Sequence, residues 1–203
     1  GFTRSVDRET CRRLADHFLE VVVAPAFDPE GMSLLTERRP DLRLLTWRGG
    51  RITTLDIRST WSGYLVQEDR LPALPDPSRG SWAGETAEGS WEDLLFAWKV
   101  CALCKSNAIV IAGKGATVGI GAGFTSRVDA VKWALQQAGS AAEGAVLASD
   151  AFFPFPDSVE LAAKAGVKAI IQPGGSKKDD QVIAAANRLG VAMFLSGDRT
   201  FRH

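Results

Sequence analysis

The chain has 203 residues, 45% hydrophobic and 24% charged, with 24 basic and 24 acidic side chains and a formal net charge of zero. That composition excludes a disordered chain and a disulfide-stapled miniprotein, and no apolar run approaches the roughly 18 residues that a membrane span needs. The neutral balance argues against general nucleic-acid binding and leaves room for a local anion pocket.

The opening GFTRSVDRET lacks the apolar stretch of a signal peptide. Residues 7–20 predict a helix with Leu14, Phe18 and Leu19 as its apolar stripe and Ser5 or Asp7 as its cap. VVVAP, residues 21–25, reads as a buried strand stopped by Pro25. Asp28-Pro29-Glu30 opens a short helix through Leu35, with proline in its first turn. Strands are expected at 41–47, 51–57 and 63–68. Residues 1–70 thus form an N-terminal α/β segment.

Residues 71–90, LPALPDPSRGSWAGETAEGS, are broken by prolines and glycines and predict a surface linker. The block 91–203 alternates. Helices are expected at 91–104, 126–138, 157–165 and 177–189, with strands at 107–112, 116–121, 145–148, 167–171 and 191–195. Short apolar runs separated by helices give an α/β fold with helices on both faces of one sheet.

Several segments can carry chemistry. Cys101 and Cys104 form a CxxC, but they lie where a helix runs into a strand, without a second cysteine pair or a histidine cluster. They read as core or surface thiols, kept reduced in the cytoplasm together with Cys11. GIGAGFTSR places Gly119, Gly121 and Gly123 before a helix start, where free N–H groups and Arg127 can hold an anion; the alternative is a tight turn with a solvated arginine. SDAFFPFPDS sets Phe152, Phe153 and Phe155 among Pro154 and Pro156, a rigid apolar wall. It reads either as a slot for a planar ring, with Asp150 or Asp157 bonding amino groups, or as a buried connection with Asp157 and Glu160 as a capping box. Gly174-Gly175 before a helix capped by Ser176 can meet a phosphate, and Lys177 and Lys178 read as solvated. Asn107, at the edge of an apolar run, can read a carboxamide or make a local turn bond. The tail GDRTFRH brings Arg199, Phe201 and His203 beyond a core strand; it either frays or folds back into a site.

Taken in order, WEDLLFAWKV, KSNAIV, TVGIGAGFTSRVDAV, SDAFFPFPDSVELAAKAGV, IIQPGGSKKDDQVIAAANRLGVAM and RTFRH resemble the C-terminal half of the bifunctional purine-synthesis family. That family combines AICAR formyltransferase with IMP cyclohydrolase. FLEVVVAPAFDPEGMSLL and LDIRSTWSGYLVQEDR extend the resemblance upstream, although Trp61 and Tyr64 depart from the family's usual glycine-rich pattern. The resemblance implies a cytidine-deaminase-like three-layer fold without catalytic zinc. It implies that Asn107, Arg127, Phe152, Asp157 and Arg199 bind the AICAR nucleotide. Ala151, Phe153, Pro154 and Phe155 would face the cosubstrate 10-formyltetrahydrofolate, and Phe201 and His203 would pack near the site. A potassium ion structures this region in some members, and the family works as a dimer with formyltransferase sites across its interface.

The family's proton transfer is assigned to a Lys-His pair upstream of this region, and this sequence has no Lys-His pair. No catalytic residue is therefore assigned here: His17 sits in a helix, and His203 is expected to serve structure or binding. The expectation is a fragment, a shortened homologue or one chain of a split enzyme. It would bind AICAR-like anions weakly and turn over poorly unless a homodimer or a partner chain supplies the missing half.

Overall fold

The computed structural model describes residues 1–47, 49, 55–68, 74–76, 78 and 80–200. The chain forms two compact units, 1–70 and 71–203.

The first unit opens with α1 (Arg8–Leu14), whose first turn is capped by the Asp7 carboxylate accepting the Thr10 N–H at 2.7 Å. The helix stops well short of residue 20. Its end tightens through Asp16 and His17 N–H groups bonding the Arg13 and Leu14 carbonyls, the Arg39 guanidinium takes the Ala15 carbonyl, and Phe18 is exposed. β1 (Val21–Ala24) pairs in parallel with β2 (Arg43–Thr46), connected through α2 (Pro29–Arg38), which Asp28 caps by accepting the Gly31 N–H at 2.8 Å. Val6, Cys11, Ala15, Val22, Ala24, Leu35 and Leu42 form this unit's core. β3 (Leu55–Thr60) and β4 (Gly63–Glu68) make an antiparallel hairpin. Ile57, Val66 and Tyr64 share one of its faces and are exposed, as is Trp61 at the turn. Part of the strand expected at 51–57 lies outside the described residues.

The second unit is built on one six-stranded sheet. Its strands are β5 (Ser81–Ala83), β6 (Ile109–Gly113), β7 (Ala116–Gly121), β8 (Val146–Ser149), β9 (Ala169–Gln172) and β10 (Ala192–Leu195), in spatial order β5-β10-β9-β8-β6-β7. β8, β9 and β10 are parallel, while β5, β6 and β7 run antiparallel to their neighbours. Side chains alternate across the strands. Ile109, Ile111, Leu147, Ile170 and Met193 face α4 (Arg127–Ala138), α5 (Asp157–Lys164) and α6 (Asp179–Arg188). Val110, Ala112, Val146, Ala148, Ile171 and Phe194 face α3 (Trp91–Cys101), which presents Leu94, Ala97, Trp98 and Cys101. Both sheet faces are therefore covered, which is why β8 and β9 carry no exposed residue. The result is the three-layer α/β architecture.

One part of the linker reading is corrected. Ser81–Ala83 is an edge strand antiparallel to β10, and residues 88–90 form a 3₁₀ turn leading into α3. Trp82 and Trp91 both meet the buried Phe194 ring edge-on, at centroid distances of 5.4 and 4.9 Å, and this burial draws the Pro- and Gly-rich segment onto the sheet.

The glycines of β7 have a packing role. A Cβ on Gly119 would collide with the backbone carbonyl of Ala134, and one on Gly121 with that of Ala130. They let β7 lie directly against α4, so their close approach is to a helix backbone. Gly119→Ala should lower stability by about 1–3 kcal/mol, because no flexible side chain can yield. Urea denaturation of the two proteins checks this; an unchanged midpoint would mean that β7 does not sit so close.

Candidate functional site

A pocket of about 580 Å³ opens at the carboxyl end of β8, lined by Asn107, Thr125, Ser126, Arg127, Val128, Ala151, Phe152, Pro154, Phe155, Asp157 and Ser158. Two helices begin at its wall. α4 starts at Arg127 and α5 at Asp157, and neither has a side-chain cap. Their first N–H groups and dipoles favour negative charge or carbonyl oxygens in the space between them.

Asp157 does not cap α5 as expected. It is the first helical residue, Pro156 precedes it, and its carboxylate accepts the N–H of neighbouring Ser158 at 2.7 Å. Ser176 likewise lies ahead of α6, where it accepts the Lys178 N–H, while Asp179 accepts the N–H groups of Gly175 and Ser176. That loop touches the pocket wall through Lys178, whose ammonium stands 4.0 Å from the Phe155 ring centroid.

Arg127 is neither solvated nor fully free for a ligand. It is 8% exposed, and Nη1 donates to Asp150 Oδ1 at 2.5 Å and to Ser149 Oγ at 3.0 Å, while Nη2 donates to Asn107 Oδ1 at 2.6 Å. Asp150 is completely buried; its Oδ1 also accepts the Ala108 N–H, and its Oδ2 has no partner among the described residues. Asp150 therefore reaches no amino group in the pocket directly; it balances Arg127. Asn107 is fixed in turn by donating from Nδ2 to the Phe124 carbonyl at 2.9 Å.

The aromatic run divides. Phe152, Pro154 and Phe155 line the pocket, whereas Phe153 points into the core beside α4, α5 and α6, with its N–H bonded to Gln172 Oε1. Of residues 151–155, Phe153 is the one whose side chain turns away from the pocket into the core. Arg199 does not line the pocket; its guanidinium lies 5.0 Å from the Phe152 ring centroid. Phe201 and His203 lie outside the described residues.

Sequence reasoning missed Ser149 and Ser158. The Ser158 hydroxyl is buried, has no hydrogen-bond partner among the described residues, and its residue belongs to the pocket wall. Its position just after Asp157 at a helix start was the available signal.

The cysteines do not form a redox or metal centre. All three are free, and among the described residues no group of three or more His, Cys, Asp or Glu could hold a metal. The Cys101 thiol donates to the Ala108 carbonyl and the Cys104 thiol to that of Val100. Burial, then the nearby Asp150 charge, pushes the Cys101 thiol well above its ordinary value and the Cys104 thiol upward too. Both thus stay protonated and unreactive at neutral pH. Mass spectrometry after brief iodoacetamide treatment at pH 7.5 should find Cys101 unmodified in the folded protein and alkylated in urea; rapid native alkylation would contradict the burial.

Comparison with known proteins shows the family. A family model described as AICARFT/IMPCHase bienzyme matches residues 1–137. The chain is 45% identical over 203 residues to the bifunctional purine biosynthesis protein PurH of Deinococcus deserti, covering 99% of this chain and 40% of that protein. It is 49% identical over 208 residues to PurH of Persephonella marina, covering 100% of this chain and 40% of that protein. The chain thus spans about 40% of the length of the curated relatives it matches. Among solved structures, Acinetobacter baumannii RibD, form 2, is similar over 52% of this chain and 33% of that one, with 19% identity and a TM-score of 0.35; a likeness that slight carries no argument. With the family model spanning most of the sequence and the relatives matching nearly all of it, the chain belongs to the AICARFT/IMPCHase bienzyme family.

Proposed function

We propose that this chain is a formyltransferase part of a cytoplasmic purine-biosynthesis protein, moving a formyl group from 10-formyltetrahydrofolate to the 5-amino group of AICAR. What supports the reading is convergence: seven residues that the resemblance implies for the two ligands, Asn107, Arg127, Ala151, Phe152, Pro154, Phe155 and Asp157, line one pocket. Phe152, Pro154 and Phe155 offer apolar faces to flat rings, and Asp157 offers a carboxylate to an amino group. Arg127 and Asn107 offer N–H donors to a carboxamide or phosphate oxygen, and the two helix starts add theirs. Arg199, whose guanidinium lies over the Phe152 ring, would be the cation for the nucleotide phosphate.

In the transfer, the bond from the AICAR nitrogen to the formyl carbon forms and the bond from that carbon to folate N10 breaks. The proton lost by the amine ends on N10. A weakly nucleophilic aromatic amine needs a base for this step. Among the described residues, the pocket wall holds no histidine or lysine. The resemblance assigns the base to a Lys-His-bearing segment that this sequence lacks and that a partner chain or a homodimer would supply.

Potassium, which the resemblance also brings, would find fitting oxygens in Asp150 Oδ2 and Thr200 Oγ1, both buried and without a partner among the described residues. These two would help to hold it, and the ion would supply structure to this region rather than chemistry at the formyl carbon.

The test is a formyl-transfer assay with AICAR and 10-formyltetrahydrofolate, run on the chain alone and with the remaining 60% or so of the Deinococcus deserti relative added in trans. The expected result is weak AICAR binding and slow turnover alone, with turnover appearing on addition. Binding without turnover in both arms would make the chain a non-catalytic binding protein. Full turnover by the chain alone, lost in His203→Ala, would overturn the assignment of the base to another segment.

A further inference from the structure

We infer that Asp150 is a positioning residue: it fixes the Arg127 guanidinium in the one orientation that presents its remaining N–H groups to the pocket. The inference rests on the reading of this pocket as the AICAR site. A guanidinium carries five N–H donors in a rigid plane. Three are engaged here: both on Nη1, by Asp150 and Ser149, and one on Nη2, by Asn107. Fixing Nη1 at two points sets the plane of the whole group, and the Nε–H and the second Nη2–H are what remain for a ligand.

Asp150 is placed for this role. It is fully buried, it does not line the pocket, and the Ala108 N–H holds Oδ1 from the side of β6 while Arg127 approaches from α4. The carboxylate sits one residue beyond β8, so its place is set by the central sheet rather than by a mobile loop. Ser149 is the second brace. Its hydroxyl donates to the Ala151 carbonyl at 2.7 Å, which leaves its oxygen lone pairs facing Nη1. Without the carboxylate, Arg127 keeps its charge and loses its fixed plane.

The consequence for binding is conditional on Arg127. A ligand that bonds the fixed guanidinium should feel the loss of Asp150 only while Arg127 is present. AICAR affinity is measured by calorimetry on the full chain as wild type, Asp150→Asn, Arg127→Gln and the double variant, each first checked for cooperative thermal unfolding. Asp150→Asn should weaken AICAR by about tenfold, the scale of a hydrogen bond to a charged group. In the Arg127→Gln background the same change should cost less than about twofold, because there is no guanidinium left to orient. An equal loss in both backgrounds would place the role of Asp150 in the fold or at a cation and overturn the inference. Should Asp150→Asn not fold, Ser149→Ala carries the same cycle, with a smaller loss of the same sign and the same dependence on Arg127; a loss independent of Arg127 would again overturn it.

A ligand-free arm separates this inference from the assignment of the pocket. The Arg127 Nη1–H NMR signals, identified by their disappearance in Arg127→Gln, should exchange slowly with water in the wild type, where Asp150 and Ser149 hold them, and fast in Asp150→Asn, or in Ser149→Ala if the former is unfolded. No binding of AICAR to the wild type, with this contrast intact, would remove the AICAR reading and leave the positioning role. Equal exchange rates would remove the positioning role whatever AICAR does.

Discussion

A carboxylate at zero exposure has to be paired, and in this chain that requirement falls on Asp150. Its partner, Arg127, stands 23 residues earlier, at the first position of a helix. The pair therefore ties the end of β8 to the start of α4, and the Ala108 N–H ties both to the entry of β6. Removing one member of such a pair leaves an isolated buried charge, typically a loss of about 3–5 kcal/mol. The position of Arg127, and with it the polar wall of the pocket, follows from that cost rather than from attraction to solvent or ligand.

The sheet decides where this happens. From β8 the chain moves outward through β9 to β10 on one side, while β6 and β7 lie on the other. The carboxyl end of β8 is thus the point at which the connections part, and open α/β sheets leave a crevice at such points. α4 and α5 lie side by side on the same sheet face, so both helix starts arrive at this crevice. The glycines of β7 contribute at a distance, by letting α4 settle close enough for Arg127 to reach Asp150.

What was legible in the sequence was periodic. The alternation of Ile109, Ile111 with Val110, Ala112 splits a strand between two faces, and the helix-strand units after residue 91 repeat it. Ser81–Ala83 was not legible, because three residues among prolines and glycines carry no period, and only the exposed edge of β10 makes them a strand. The chemistry of the site was legible as residue types but not as partnerships. Arg127 reads locally as a free cation at a helix start; its neutralisation depends on a contact across 23 residues. Phe153 reads as one of a wall of rings, and the wall has two sides. Asp157 and Glu160 have the spacing of a capping box, yet Pro156 takes the cap position and leaves the α5 start open toward the pocket.

Neutralisation of Arg127 changes what kind of recognition the pocket can perform. With Asp150 against it, the guanidinium contributes directed donors and little net field. Attraction for an oxygen-bearing ligand then rests on two uncapped helix starts, on the unpartnered Ser158 hydroxyl and on the fixed N–H groups of Arg127 and Asn107. These are short-range and directional, and salt screens them far less than it screens exposed cations. Such a site discriminates by the placement of oxygens, and a phosphate of the same charge in the wrong place gains little from it. On the proposed reading, the selection of an anionic ligand by a chain with no net charge lies in geometry fixed by the buried pair.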